Sequence, residues 1–109
     1  MSAASHTVFL NEMGVVCALG EGRAAVSAAL FADHPGGLSD NDQLLPGRTL
    51  ALGQVRTAVP SLEDVPLALR GRNNALLDVA LAQIAPAVQA AIGRYGAGRV
   101  AVVLGTSTS

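Results

Sequence analysis

The chain has 109 residues, half of them hydrophobic and only 14% charged, with a net charge of −1. That length suffices for one domain, and the composition excludes a disordered chain. The near-neutral balance leaves no electrostatic footprint for nucleic acid, no run of about 18 apolar residues marks a membrane span, and the opening residues lack the basic-then-apolar pattern of a signal peptide.

A single cysteine, Cys17, excludes an internal disulfide framework and a Cys-rich zinc site, which makes the cytoplasm the expected compartment. All seven basic residues are Arg, and the aromatics are Phe9, Phe31 and Tyr95. Any core must therefore come from Ala, Val, Leu and Ile, which suits closely packed helices on a sheet but offers little apolar area per side chain.

In chain order, residues 1–6 read as a loose lead-in. Thr7–Leu10 reads as a strand running on toward Met13, stopped by Gly14, with a second apolar piece over Val15–Leu19 ending at Gly20-Glu21-Gly22. From Arg23 the period becomes helical through Val26 and Leu30, and the Pro35-Gly36-Gly37 run ends that helix near Asp33. Leu38–Arg48 is polar loop, and Thr49–Val59 predicts one or two short strands as a hairpin. Pro60–Arg72 is a connection with a short turn around Leu67–Leu69.

The clearest helix starts near Asn73, where Leu77, Leu81, Ile84, Val88, Ile92 and Tyr95 recur at spacings of three and four and predict a core-facing stripe. Pro86 removes one helix hydrogen bond and predicts a kink or break, and Gly96 with Gly98 supplies the stop. Val100–Leu104 is an unbroken, β-branched apolar run that predicts a strand buried on both faces, followed by Gly105 and Thr106–Ser109. Helices between strands favour an α/β fold with a mostly parallel or mixed sheet, and the long helix predicts a right-handed crossover into the final strand. A buried strand so close to Ser109 predicts a segment of a larger protein, one that is marginal or aggregating when made alone.

Several residues invite a functional reading. Gly20-Glu21-Gly22-Arg23-Ala24-Ala25 matches G-x-G-x-x-A ahead of a helix, a pattern that can cradle a pyrophosphate in a dinucleotide-binding module. Glu21 places a carboxylate inside that loop, and Asp40 and Asp42 fall in polar loop instead of at the end of a second strand, so a structural turn explains the glycines better. Cys17 lies among Val16, Ala18 and Leu19 and reads as a small packed residue without a base. His6 lies in the lead-in and His34 in the Asp-His-Pro-Gly-Gly helix exit, where a protonated imidazole would favour the negative helix C-terminus, and Asp33, Asp40 and Asp42 lack the remaining ligands of a calcium loop. Arg70, Arg72, Arg94 and Arg99 could attract an acidic carrier protein but are dispersed. Thr106–Ser109 is hydroxyl-rich but lacks the G-x-S-x-G of a nucleophile elbow. These residues supply no catalytic, cofactor-binding or metal site.

Three segments together, Met13-Gly14-Val15-Val16-Cys17-Ala18-Leu19-Gly20, Arg72-Asn73-Asn74 with its helix, and Arg99-Val100 through Gly105-Thr106-Ser107-Thr108-Ser109, resemble the N-terminal portion of a β-ketoacyl-acyl-carrier-protein synthase. Their order and spacing cover nearly the whole chain, and the Arg-Asn-Asn helix and Gly-Thr-Ser-Thr-Ser loop are most like ketosynthases of bacterial polyene-type clusters. The resemblance implies that residues 7–109 are the N-terminal segment of a thiolase-like layered αβαβα fold. It implies an enzyme that performs a decarboxylative Claisen condensation of a malonyl-carrier thioester with an enzyme-bound acyl group, needing no cofactor. The partners it implies are acyl carrier protein and a same-fold subunit, as a homo- or heterodimer. The family's nucleophilic Cys and two His lie C-terminal to the Gly-Thr loop, so none is carried onto this chain, and the segment alone is expected to be inactive. A non-catalytic chain-length subunit of the same fold would share these three segments.

Overall fold

The computed structural model describes residues 4–34 and 36–106. Its elements are β1 (Val16–Cys17), β2 (Gly20–Glu21), α1 (Arg23–Leu30), β3 (Leu38–Asn41), β4 (Leu50–Gly53) and α2 (Arg72–Tyr95), with short 3-10 turns at Leu67–Leu69 and Ala97–Arg99. The class is mixed α/β, with two helices and two antiparallel two-stranded sheets, β1–β2 and β3–β4, among the described residues.

Both sheets are local hairpins. In the first, Val16 pairs with Glu21 and Cys17 with Gly20 across an Ala18-Leu19 turn. Among the described residues only glycines have a positive φ, so this turn cannot be the type I′ form that needs two such residues; Gly20, at φ 147°, takes the unusual backbone instead. In the second, Leu38 pairs with Gly53, Ser39 with Leu52, Asp40 with Ala51 and Asn41 with Leu50. The Asn41 Oδ1 accepts the backbone N–H groups of Gln43 (3.0 Å) and Leu44 (3.2 Å), an Asx turn that starts the connecting loop.

The middle region therefore differs from its sequence reading. Leu38–Asn41, expected as loop, forms the strand that pairs with β4. Its polar alternation hides it, because Ser39 and Asn41 are the half-buried residues and Leu38 faces outward. The hairpin expected within Thr49–Val59 is instead one strand, Leu50–Gly53, paired with that upstream segment.

Two expected strands are also absent. Residues 7–13 form no ladder, and Val8, Phe9 and Leu10 are 80, 75 and 94% exposed. Val100 has extended dihedrals, yet Val100–Leu104 joins no strand ladder and Val103 is 89% exposed. The parallel pairing and crossover expected there are not formed among the described residues. A hairpin needs only its own turn, whereas a buried parallel strand needs neighbours on both sides.

The helices follow the sequence more closely. α1 stops at Leu30, three residues short of the expected end at Asp33. α2 runs 24 residues and continues unbroken through Pro86. Pro86 and Ala82 are both exposed, so the carbonyl of Ala82 that loses its intrahelical donor can be hydrated, and the break expected there does not occur. The backbone N–H of Gly96 donates to the carbonyl of Ile92 at 2.8 Å, and its φ of 86° turns the chain out of the helix.

The helix is held at its start by the preceding connection. Arg70 donates to the carbonyls of Val65 and Glu63, Arg72 reaches the carbonyl of Val55, and Asn74 donates to that of Leu69 at 2.9 Å. The turn at Leu67–Leu69 lies where the sequence reading put it.

These elements do not close over a core. Among the described residues only Ala75 is fully buried, at 4% exposure. The accessible surface is 8869 Å² for an 11.0 kDa chain, against about 5,600 Å² for a compact monomer of that mass. The radius of gyration is 18.1 Å, where about 13 Å is usual for a globular domain of this length. The stripe of α2 expected as core is half-buried at Leu77, Ile84, Val88 and Ile92 and exposed at Leu81 and Tyr95. By length and composition alone α2 is also apolar enough to cross a membrane.

Candidate functional site

The best-organised place in the molecule is the junction where the β1–β2 hairpin meets α2. Gln83, from the middle of α2, uses its side-chain amide as a backbone partner for Val15. The Val15 N–H donates to Gln83 Oε1 at 2.9 Å, and Gln83 Nε2 donates to the Val15 carbonyl at 2.9 Å. The same carbonyl accepts the N–H of Gly22 at 2.8 Å, which ties the start of α1 to the same point. One residue thus joins both helices to the hairpin, and its backbone donor and acceptor are satisfied in a half-buried setting where leaving them unpaired costs about 1–3 kcal/mol each.

Glycine makes this approach possible. A Cβ on Gly14 would stand 2.0 Å from the carbonyl oxygen of Ala80, closer than any real contact, so only glycine fits against the α2 backbone there. The sequence reading treats Gly14 as a strand stop; the structure adds that it is a contact. On the other side of the hairpin, a Cβ on Gly37 would meet Leu19 Cδ2 at 2.8 Å, and one on Gly53 would meet Ala18 Cβ at 3.3 Å. The Ala18-Leu19 turn thus packs on the ends of the second hairpin, and small residues set the spacing at both contacts.

Gln83 does not stand out in the sequence. The one available signal is its place in the row Leu76, Ala80, Gln83, Ala87, spaced three and four apart and half-buried throughout. A polar residue flanked by alanines on such a row marks a helix face that a strand can approach.

The residues singled out from sequence do not converge. Cys17 is a free, half-buried thiol within β1. His6 and His34 are exposed, as are Asp33, Asp40 and Asp42. Asp40 pairs with Ala51 in the second sheet, and Asp42 accepts a hydrogen bond from Gln43 at 2.7 Å. Among the described residues no three His, Cys, Asp or Glu side chains lie close enough to hold a metal ion. Arg70 and Arg72 are committed to backbone carbonyls, and Arg94 lies over the Tyr95 ring at 5.2 Å. Ser107–Ser109 lies outside the described residues, and Thr106 is exposed.

The Gly20–Ala25 turn has a geometry unlike a pyrophosphate loop. Gly20 and Glu21 form the returning strand of a hairpin, so the chain reverses before entering α1 instead of running from a parallel strand straight into the helix. Gly22, at φ 93°, is the residue before the helix, and the first turn of α1 carries no acidic residue but does carry Arg23. A shallow, open depression beside it is bordered by Glu12, Met13, Glu21, Gly22, Arg23 and Gln83. Its two carboxylates disfavour an anion at that helix start. A second shallow depression lies between Val59–Glu63 and the start of α2, next to Arg70 and Arg72. Neither contains a nucleophile paired with a base. No family model, curated protein or solved structure matches the chain.

Proposed function

We propose that this chain is the N-terminal segment of a β-ketoacyl-acyl-carrier-protein synthase, part of a thiolase-like layered αβαβα fold. The whole protein would work in the cytoplasm with acyl carrier protein and a same-fold subunit. Its reaction would transfer an acyl group from carrier protein to an active-site Cys, releasing the carrier thiol. A malonyl-carrier thioester would then lose CO₂, and its carbanion would attack the acyl-Cys thioester, breaking its C–S bond to release the Cys thiolate and leave a β-ketoacyl thioester on the carrier. The residues that do this chemistry belong to the part of such an enzyme that follows the Gly-Thr loop, so residues 7–109 serve as scaffold.

The observation that carries the reading is the order and spacing of three segments: Met13–Gly20, Arg72-Asn73-Asn74 with its helix, and Arg99–Ser109. The first two also pack directly on each other through Gly14, Val15, Ala80 and Gln83, which gives their co-occurrence a physical basis. The uncovered face of α2 and the unpaired Val100–Leu104 suit one layer of a larger layered fold. The Val15–Gln83 bonds favour protein over lipid as the surroundings of α2, since one face of the helix already receives a strand.

The test is the coding frame beyond Ser109, followed by an assay of the whole product. A Cys in a strand-to-helix turn and two downstream His, with CO₂ released from malonyl-carrier and an acylated Cys found by mass spectrometry, support the proposal. The same fold without the Cys makes the protein a non-catalytic chain-length subunit. A frame that closes at Ser109, or continues into unrelated sequence, overturns it.

A further inference from the structure

We draw no further inference here: the strongest candidate, the apolar face of α2 together with the exposed segments Val8–Leu10 and Val102–Leu104, carries nothing because no feature of the structure shows what covers it.

Discussion

The hairpin–helix junction and the extended segments at either end of the described chain are built from similar residues yet differ in fate. At the junction, Val15, Val16 and Cys17 are half-buried, and both the N–H and the carbonyl of Val15 are hydrogen-bonded. Val8–Leu10 and Val102–Leu104 are as apolar and as β-prone, yet they are exposed and unpaired. β-propensity does not separate the two. A strand is stable only where its backbone groups find partners and one face finds cover. Gly14 and Gln83 supply both for the first region, and the second has neither.

The largest expected effect concerns the uncovered regions. Made alone, the chain should self-associate and lack a cooperative unfolding transition, because 8869 Å² of surface leaves too little apolar burial to offset chain entropy. Sedimentation velocity and calorimetry test this, and a soluble monomer with a sharp melt would show that the two regions are equally self-sufficient.

The next effect lies at the junction. Gly14→Ala forces a Cβ onto the Ala80 carbonyl and should undock the hairpin, at about 1–3 kcal/mol for overpacking of this kind. Hydrogen exchange should show Val15 and Val16 losing protection; unchanged protection would mean that the close approach does not hold the hairpin.

Gln83→Ala should sit at the lower end of that range, about 1 kcal/mol, by stranding the Val15 N–H while its carbonyl keeps the Gly22 donor. Gln83→Glu retains the acceptor for that N–H but places a carboxylate oxygen beside the Val15 carbonyl, so it should fall between wild type and Ala. Amide exchange at Val15 reads the order of the three, and equal rates in all of them would remove Gln83 from the junction.

The smallest effect is expected at Val103, 89% exposed. Val103→Asp should change local stability by no more than about 0.5 kcal/mol in the isolated chain, while lowering its tendency to associate. Light scattering at matched concentration checks this, and undiminished association would shift attention to Val8–Leu10. In the whole protein the proposed function expects the opposite sign, since a covered strand would not tolerate a carboxylate.

Much of the helical structure was legible. The three-and-four spacing from Leu77 to Tyr95 located α2 to within a residue at its start, and Gly96 ended it where a glycine was expected. The β structure was legible only in part. Val15–Leu19 stands out as an apolar piece, but its return through Gly20 and Glu21 looks in sequence like a glycine turn, and Leu38–Asn41 is hidden by its polar residues. Of the junction the sequence carries only the alanine-flanked place of Gln83 on its helix row, because Val15 and Gln83 are 68 residues apart and nothing local to either one names the other as its partner.

The sequence by itself determined the mixed α/β class, the two ends of α2 and the short turn before it. Those properties rest on local period, on glycine and proline geometry, and on residue chemistry. Tertiary structure decided which apolar runs became strands and which face of α2 received a partner. Strand pairing and docking depend on groups distant in the chain meeting at the right spacing, and here a missing side chain at Gly14 and a side-chain amide at Gln83 set that spacing.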